Sequence, residues 1–230
     1  MYRDRPNYAI RETADFLPQF VHGAPNFAPG AGCRYNNCGY VLAGLMIEKA
    51  TGRSYREVAA RDVFDRAGMT GAAVPCMDRV QDGVAEGADP LRDEAGAIVG
   101  WRRNIYSFPP IGSPDGGAVV TAADLDRFMR AVLEGRLLSA ESTAAFLAPQ
   151  VDYRARDGWT QRFGLGPWFR VQLDGTVLYL EKEGANQGVS GFLRYYPARD
   201  LTTVILSNME DGAWEPGRLL HEAVMAGAFD

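Results

Sequence analysis

Apolar residues recur at helical spacing over roughly residues 11–149 and at alternating spacing from about residue 162. In the first stretch Cys38, Val41, Leu42, Leu45 and Met46 fall on one face of a helix, and Gly52 is placed to stop it. Ser54-Tyr55-Arg56-Glu57 has capping-box spacing, in which a hydroxyl and a carboxylate three residues on each take a backbone N–H of the first turn. It predicts a helix ending near Gly68. Thr121-Ala122-Ala123-Asp124 opens another, whose stripe is Leu125, Phe128, Met129, Val132 and Leu133, with Gly135 as its end. A shorter helix follows Ser139 and stops before Pro149. Residues 70–120 are rich in Gly, Pro and Asp with weak periodicity, and read as long loops.

In the second stretch Phe169, Val171 and Leu173 alternate with Arg170 and Gln172. Asp174-Gly175 carries a type I′ turn signal, and the chain returns over Thr176 to Leu180. Further strands are expected at Gly191 to Tyr196 and Thr202 to Leu206, joined by a turn at Pro197 to Asp200. Glu215-Pro216 then opens a terminal helix through Leu219, Leu220, Ala223 and Val224. The fold class is α+β: a helical lobe with long loops over residues 1–150, packed on antiparallel strands and a closing helix over 151–230.

Charge and cysteine content narrow the function. The formal net charge is −5 with no basic cluster, which argues against a nucleic-acid partner. Nearly all positive charge is arginine; Lys49 and Lys182 are the two lysines. Cys33, Cys38 and Cys76 are an odd number without dense spacing, so no disulfide framework is expected. Cys33 and Cys38 with His22 lack a fourth ligand and a zinc spacing, so small half-buried thiols are expected, with no metal and no cofactor. Met1-Tyr2-Arg3-Asp4-Arg5 has no apolar signal-peptide core, and no apolar run reaches membrane-spanning length. The chain as given reads as soluble and cytoplasmic, or periplasmic or secreted if a targeting segment precedes it.

Familiar catalytic constellations are missing. There is no G-x-S-x-G elbow, no phosphate-binding glycine loop, and neither His22 nor His221 has a catalytic neighbour in sequence. Tyr35-Asn36-Asn37 stands out just ahead of the first helix; by itself either asparagine reads as a helix cap. Its surroundings change that. From Phe27 through Pro29-Gly30, Tyr35, Asn37, Gly39-Tyr40, Gly44, Glu48 and Thr51-Gly52 the pattern resembles the penicillin-recognising serine hydrolases: class C β-lactamases, DD-peptidases and related esterases. The resemblance continues in Val63-Phe64 through Gly68-Met69-Thr70, in Gly116-Gly117 through Thr121, Asp124 and Leu125, in Phe163-Gly164-Leu165-Gly166 and in Leu206-Ser207-Asn208. It covers roughly residues 14 to 210.

The resemblance implies a β-lactamase/transpeptidase-like fold and a set of roles. Tyr35-Asn36-Asn37 matches the second motif of the family, Tyr-x-Asn. Lys182-Glu183-Gly184 takes the place of the third, Lys-Thr-Gly, with Glu183 replacing threonine. Tyr35 would carry a proton between nucleophile and leaving group. Its phenol ionises near pH ~10, and Lys182 would favour the phenolate. Asn37 would bind the substrate amide, Gly184 would line the groove, and the N–H of Ala185 would be one oxyanion donor. On a strand Glu183 should point away from Lys182 and Gly184. The first motif, Ser-x-x-Lys, cannot exist here: none of Ser54, Ser107, Ser113, Ser139, Ser142, Ser190 and Ser207 has a lysine three residues on. The nucleophile helix and amino-terminal strands are therefore expected to be missing. Two readings follow: the carboxy-terminal part of a serine hydrolase acting on a small amide or ester, or a non-catalytic derivative binding peptidoglycan or a partner. An unrelated α+β domain is the third. Exposed apolar surface and an unpaired strand edge would favour self-association or a complementary chain. Asp124 is expected to start a helix, and Trp101, Trp159, Trp168 and Trp214 to fill the core or wall the groove.

Overall fold

The computed structural model describes residues 6–79, 81–105, 107 and 109–229. Capping chemistry sets where its helices begin. Asn36 precedes α1 (Asn37–Thr51), its Oδ1 accepting from Gly39 N at 3.0 Å, and Gly52 closes the helix at φ 68°. Ser54 and Glu57 form the expected capping box. The helix behind them reaches Gly68 in three parts: α2 (Tyr55–Val58), a π-helical stretch Ala59–Phe64, and α3 (Asp65–Ala67). Thr121 and Asp124 make a second capping box for α4 (Ala122–Leu133), and Ser139 caps α5 (Ala140–Phe146). The last helix, α6 (Trp214–Met225), starts one residue ahead of Glu215-Pro216.

The segment expected to be loops contains an antiparallel hairpin, β1 (Ala88–Arg92) and β2 (Ile98–Arg103). Most of its residues face solvent, so it has no apolar face to write an alternation into the sequence. The main sheet is a six-stranded antiparallel meander: β3 (Val151–Arg156), β4 (Trp159–Phe163), β5 (Trp168–Gln172), β6 (Val177–Asn186), β7 (Val189–Tyr196) and β8 (Leu201–Ser207). It starts earlier than the alternation at 162 announces. Asp157-Gly158, with Gly158 at φ 78°, joins two strands whose arginines mask the pattern. The Asp174-Gly175 turn is not type I′, which needs positive φ at both residues. Asp200 is the non-glycine residue with positive φ among those described. Gly175, at φ 87°, instead closes a turn in which its N–H donates to Gln172 O at 3.0 Å. The β5–β6 register slips between Arg170 and Val171, as beside a glycine bulge.

The sheet is packed on both faces. On one, Met129 and Val132 of α4 meet Phe169, Val171, Leu180, Leu193 and Tyr195, as the α4 stripe requires. On the other, Val224 of α6 packs against Tyr179 and Tyr196. There Gly217 lets α6 approach β7; a Cβ would strike the ring of Phe192. A separate cluster seats α1: Val41 against Ile10 and Phe16, with Phe20 and Leu45. Two members of the expected α1 face lie outside it, Leu42 at 45 % and Met46 at 72 % exposure. No described helix is long and apolar enough to cross a membrane.

A polar knot fixes the end of the sheet. The buried carboxylate of Asp89 accepts from Gly188 N at 2.7 Å and from Glu210 N at 2.8 Å. Around it Ala88 N donates to Asn208 O, Asn208 Nδ2 to Glu86 O and Asn104 Nδ2 to Gln187 O. Gly87 and Gly188 approach so closely that a Cβ on Gly87 would meet Gly188 O and Asn104. One carboxylate thus joins the β1–β2 root, the β6–β7 turn and the loop before α6. Asp89→Ala strands two N–H groups and should cost about 2–4 kcal/mol. Urea unfolding of the variant checks this; a loss below ~1 kcal/mol would mean that water replaces the carboxylate.

Candidate active site

Capping assigns the two asparagines ahead of α1 different tasks. Asn36 is consumed by the helix, and Asn37, the first helical residue, stays exposed. Tyr35 is held by rings: Trp168 at 5.8 Å between centroids, Tyr40 at 5.9 Å and Phe163 stacked at 6.3 Å. Tyr153 closes the cluster, edge-on to Phe163 and Trp168. Helix α1 is thereby docked on the β4–β5 end of the sheet.

Strand β6 brings Lys182 to the same place. Its Nζ lies 4.7 Å from the Tyr35 ring centroid and 5.4 Å from that of Tyr40. It rests on ring faces; among the described residues no hydrogen bond joins it to a phenol oxygen and no carboxylate pairs with it. Lys182 pairs with Leu193 in register and Gly184 with Gly191, so both lie on the α4 face of the sheet. A Cβ on Gly184 would meet nothing within 4 Å, which leaves open space beside the ammonium. Ala185, opposite Ser190, is exposed at the same end. Glu183 points to the opposite face, into a cleft of about 340 Å³ shared with Arg170, Phe192, Trp214 and His221. The structure therefore gathers Tyr35 and Lys182 with Gly184 beside them, and keeps Glu183 apart.

Burial controls the charges. It pushes the Tyr35 phenol up, with Tyr40, Asp115 and Glu183 adding in the same sense. Lys182 is not among the groups acting on it, so the expected lowering of Tyr35 is not found. The ammonium sits over the ring, itself short of water. Desolvation pulls the Lys182 amine down, opposed by Glu183. Tyr35 is held toward the neutral phenol and Lys182 toward the neutral amine, the form that has a lone pair to take a proton. Glu183 is pushed up by desolvation and then by Glu181.

Several contributors had no local signal. Tyr40 lies in the first turn of α1, five residues after Tyr35, which itself precedes the helix. Asp115 comes from a distant loop, braced by Ser113 Oγ donating to Asp115 Oδ1 at 2.6 Å, while Pro114 fills the space over Gly44. Trp168 is buried in the Tyr35 cluster and Trp159 lies under Arg170, whereas Trp101 is 56 % exposed on β2 and fills no core. Asp124 is a helix-start group. Burial alone would raise it, but Thr121, Gly71 N and Arg127 donate to it and hold it low. His221 faces Tyr196 Oη through Nδ1 at 2.9 Å on the other side of the sheet. All three cysteines are free, and no described His, Cys, Asp and Glu side chains converge as metal ligands.

Every serine hydroxyl is engaged structurally. Ser54 and Ser139 cap helices, with Ser142 bonded to Ser139; Ser107 donates to Asn104 O and Ser113 to Asp115. Ser190 bridges Met209 O and Ala213 N, and Ser207 accepts from Met209 N.

The sequence model of the Beta-lactamase family matches residues 2–224. The chain belongs to that family. It is 25 % identical over 191 residues to penicillin-binding protein 4* of Bacillus subtilis, covering 80 % of this chain and 42 % of that one. Its fold follows that of a penicillin-binding protein from Bacillus halodurans at a TM-score of 0.87 and 33 % identity, over 96 % of this chain and 66 % of that one. The octameric penicillin-binding protein homologue of Pyrococcus abyssi matches at 0.69 and 20 % identity, over 96 % and 54 %. The α+β fold is thus β-lactamase/transpeptidase-like, and the chain spans less than two thirds of the length of these relatives.

The depressed Lys182 amine has a consequence for stability. Between its folded value and the ordinary ~10.4 the unfolded chain keeps a proton that the folded chain has released, so stability rises with pH through that window. Lys182→Met removes this contribution. The melting temperature of the variant minus that of the native chain should therefore fall as the pH is raised toward ~10. Parallel thermal melts read the difference, and a constant gap would show an unperturbed lysine.

Proposed function

We propose that this chain carries the second and third active-site motifs of a serine hydrolase that cleaves a small amide or ester through an acyl-enzyme, and that the nucleophilic serine is supplied by a segment outside it. The observation that carries this reading is the meeting of Tyr35 and Lys182 across the α1–β6 seam, with Asn37 exposed and open space at Gly184. The engagement of all seven serines elsewhere supports an external nucleophile.

In this reading the substrate carbonyl lies along β6 with its oxygen toward the N–H of Ala185, where developing negative charge is stabilised by a fixed dipole. Asn37 hydrogen-bonds the substrate amide. As the serine attacks, its proton passes to the Tyr35 oxygen, and Tyr35 yields its own to Lys182 once the amine turns from the ring face to the phenol oxygen. The same path in reverse protonates the leaving group. The raised phenol disfavours a phenolate, and the lowered amine keeps Lys182 toward the neutral form from which it can take the proton. Glu183, on the far face, acts on Tyr35 and Lys182 only through its charge. β-Lactams, D-Ala-D-Ala peptides and simple esters all present the carbonyl this site requires. Without the serine the chain by itself is inactive. The same absence favours a second reading, a non-catalytic peptidoglycan- or partner-binding derivative. Association with itself or with a complementary chain fits both, and the Pyrococcus abyssi homologue is octameric.

Incubation with a labelled β-lactam or an activated ester, followed by intact-mass measurement, separates the readings. The chain alone should keep its mass. Supplied with a Ser-x-x-Lys segment from upstream of Met1 in frame, it should gain one acyl group, and Tyr35→Phe should slow that acylation by roughly 10²–10⁴-fold. An adduct on the chain alone would refute the external serine; no adduct with the added segment would favour the binding reading.

A further inference from the structure

The loop that crosses α1 brings a fixed negative charge to the site. Ser113 N donates to Gly116 O at 2.8 Å and Gly116 N to Ser113 O at 3.0 Å, so Pro114 and Asp115 form the head of a closed turn. The Pro114 ring is seated on Gly44 of α1, where a Cβ would strike it. Buried Ser113 donates through Oγ to Asp115 Oδ1 at 2.6 Å. The carboxylate is thereby held in place relative to α1, half-buried, with Gly116, Gly117 and Ala118 exposed beside it and no large side chain among them. Ser113 occupies one oxygen; among the described residues no donor reaches Oδ2 and no cation pairs with the group. Its charge acts on Tyr35, Cys38 and Tyr55, which puts it on the α1 side of the site, around Asn37. From behind β6, Glu183 adds a second negative charge at Tyr35 and stands where the family pattern has a threonine hydroxyl.

We propose that Asp115 selects substrate by charge: the site takes an amide or ester whose arm on the Asn37 side carries an ammonium, and disfavours substrates that bear a carboxylate. This rests on the acyl-transfer reading of the site and narrows it. Penicillin-type β-lactams and D-Ala-D-Ala peptides each carry a free carboxylate, which two like charges repel across a partly desolvated groove. An ammonium is attracted by the same two charges, and Asp115 Oδ2 is open to accept a charge-assisted hydrogen bond from it. The closed turn and the Pro114–Gly44 contact set the carboxylate in advance, so little ordering is left to binding.

Calorimetric titration of the chain as it stands with γ-aminobutyranilide, butyranilide and succinanilate compares an ammonium, a methyl and a carboxylate at the end of one acyl arm. At low ionic strength the ammonium should bind roughly 10-fold tighter than the neutral anilide and the carboxylate more weakly than either. Added salt should narrow the spread. Asp115→Asn keeps the oxygen that Ser113 bonds and removes the charge. It should erase the advantage of the ammonium at unchanged circular dichroism and melting temperature, and Asp115→Glu should keep part of it. With the Ser-x-x-Lys segment supplied, acylation by the matching phenyl esters should follow the same order, and Asp115→Asn should change their ratio. If that segment gives no acylation while the anilides still bind in this order, the acyl-enzyme reading fails and the charge preference of the groove stands. Equal binding of the anilides, no binding, an ammonium preference that survives Asp115→Asn, or a variant that slows every ester alike would each overturn the proposal. The last result would assign the carboxylate to the lysine of the added segment.

Discussion

The ammonium of Lys182 rests on aromatic rings at the junction of two halves of the chain. Strand β6 is anchored through Leu180 in the core beneath α4, while α1 is anchored separately by Ile10, Phe16 and Val41. The contact across the seam is made by Tyr35 and Tyr40 on one side and Lys182 on the other, with Phe163, Trp168 and Tyr153 walling it. A ring face attracts a cation without neutralising it. A carboxylate in that position would have pinned the lysine as a permanent ammonium. Rings leave it desolvated and its proton loosely held.

The placement of Glu183 shows how a strand keeps conflicting groups apart. Adjacent residues on β6 face opposite sides, so a carboxylate next to the lysine in sequence opens into the α6 cleft instead. There it neighbours the part-buried Arg194–Glu181 pair, joined at 2.7 Å, and is itself held toward the neutral form. Departure from the Lys-Thr-Gly pattern thus alters the back of the sheet more than the site.

Elements with one buried face were legible in the sequence. The α4 stripe, both capping boxes, Gly52 and the β5–β8 meander follow from periodicity and capping alone, because in each a local preference and a tertiary contact agree. The β1–β2 hairpin was not, since it is held by backbone bonds to Asp89, Asn104 and Asn208 and buries little apolar surface. The same reasoning explains β3 and β4, where Asp152, Arg154, Arg156 and Arg162 hide the alternation and Asp157-Gly158 is the surviving mark. Tyr35, Asn37 and Lys182 came from a family pattern, which fixes residue types but not fields. That is why Tyr35 is pushed up where the sequence implied the reverse: the effect comes from burial beneath Trp168 and Phe163 and from Asp115, both set by tertiary structure. The exposure of Leu42 and Met46 is likewise invisible to a helical wheel, which marks an apolar face without saying what covers it.

Asp89 carries a different kind of consequence. Three segments far apart in the chain end on one carboxylate and its neighbours: the hairpin root, the Gln187-Gly188 turn and the Asn208–Glu210 loop. None of them can leave while the others stay without stranding a donor or an acceptor. The tip of the sheet beside Ala185 therefore behaves as one cooperative unit, opening as a whole or not at all, and thermal motion of the exposed hairpin stops at its root instead of spreading into the strand that carries Lys182.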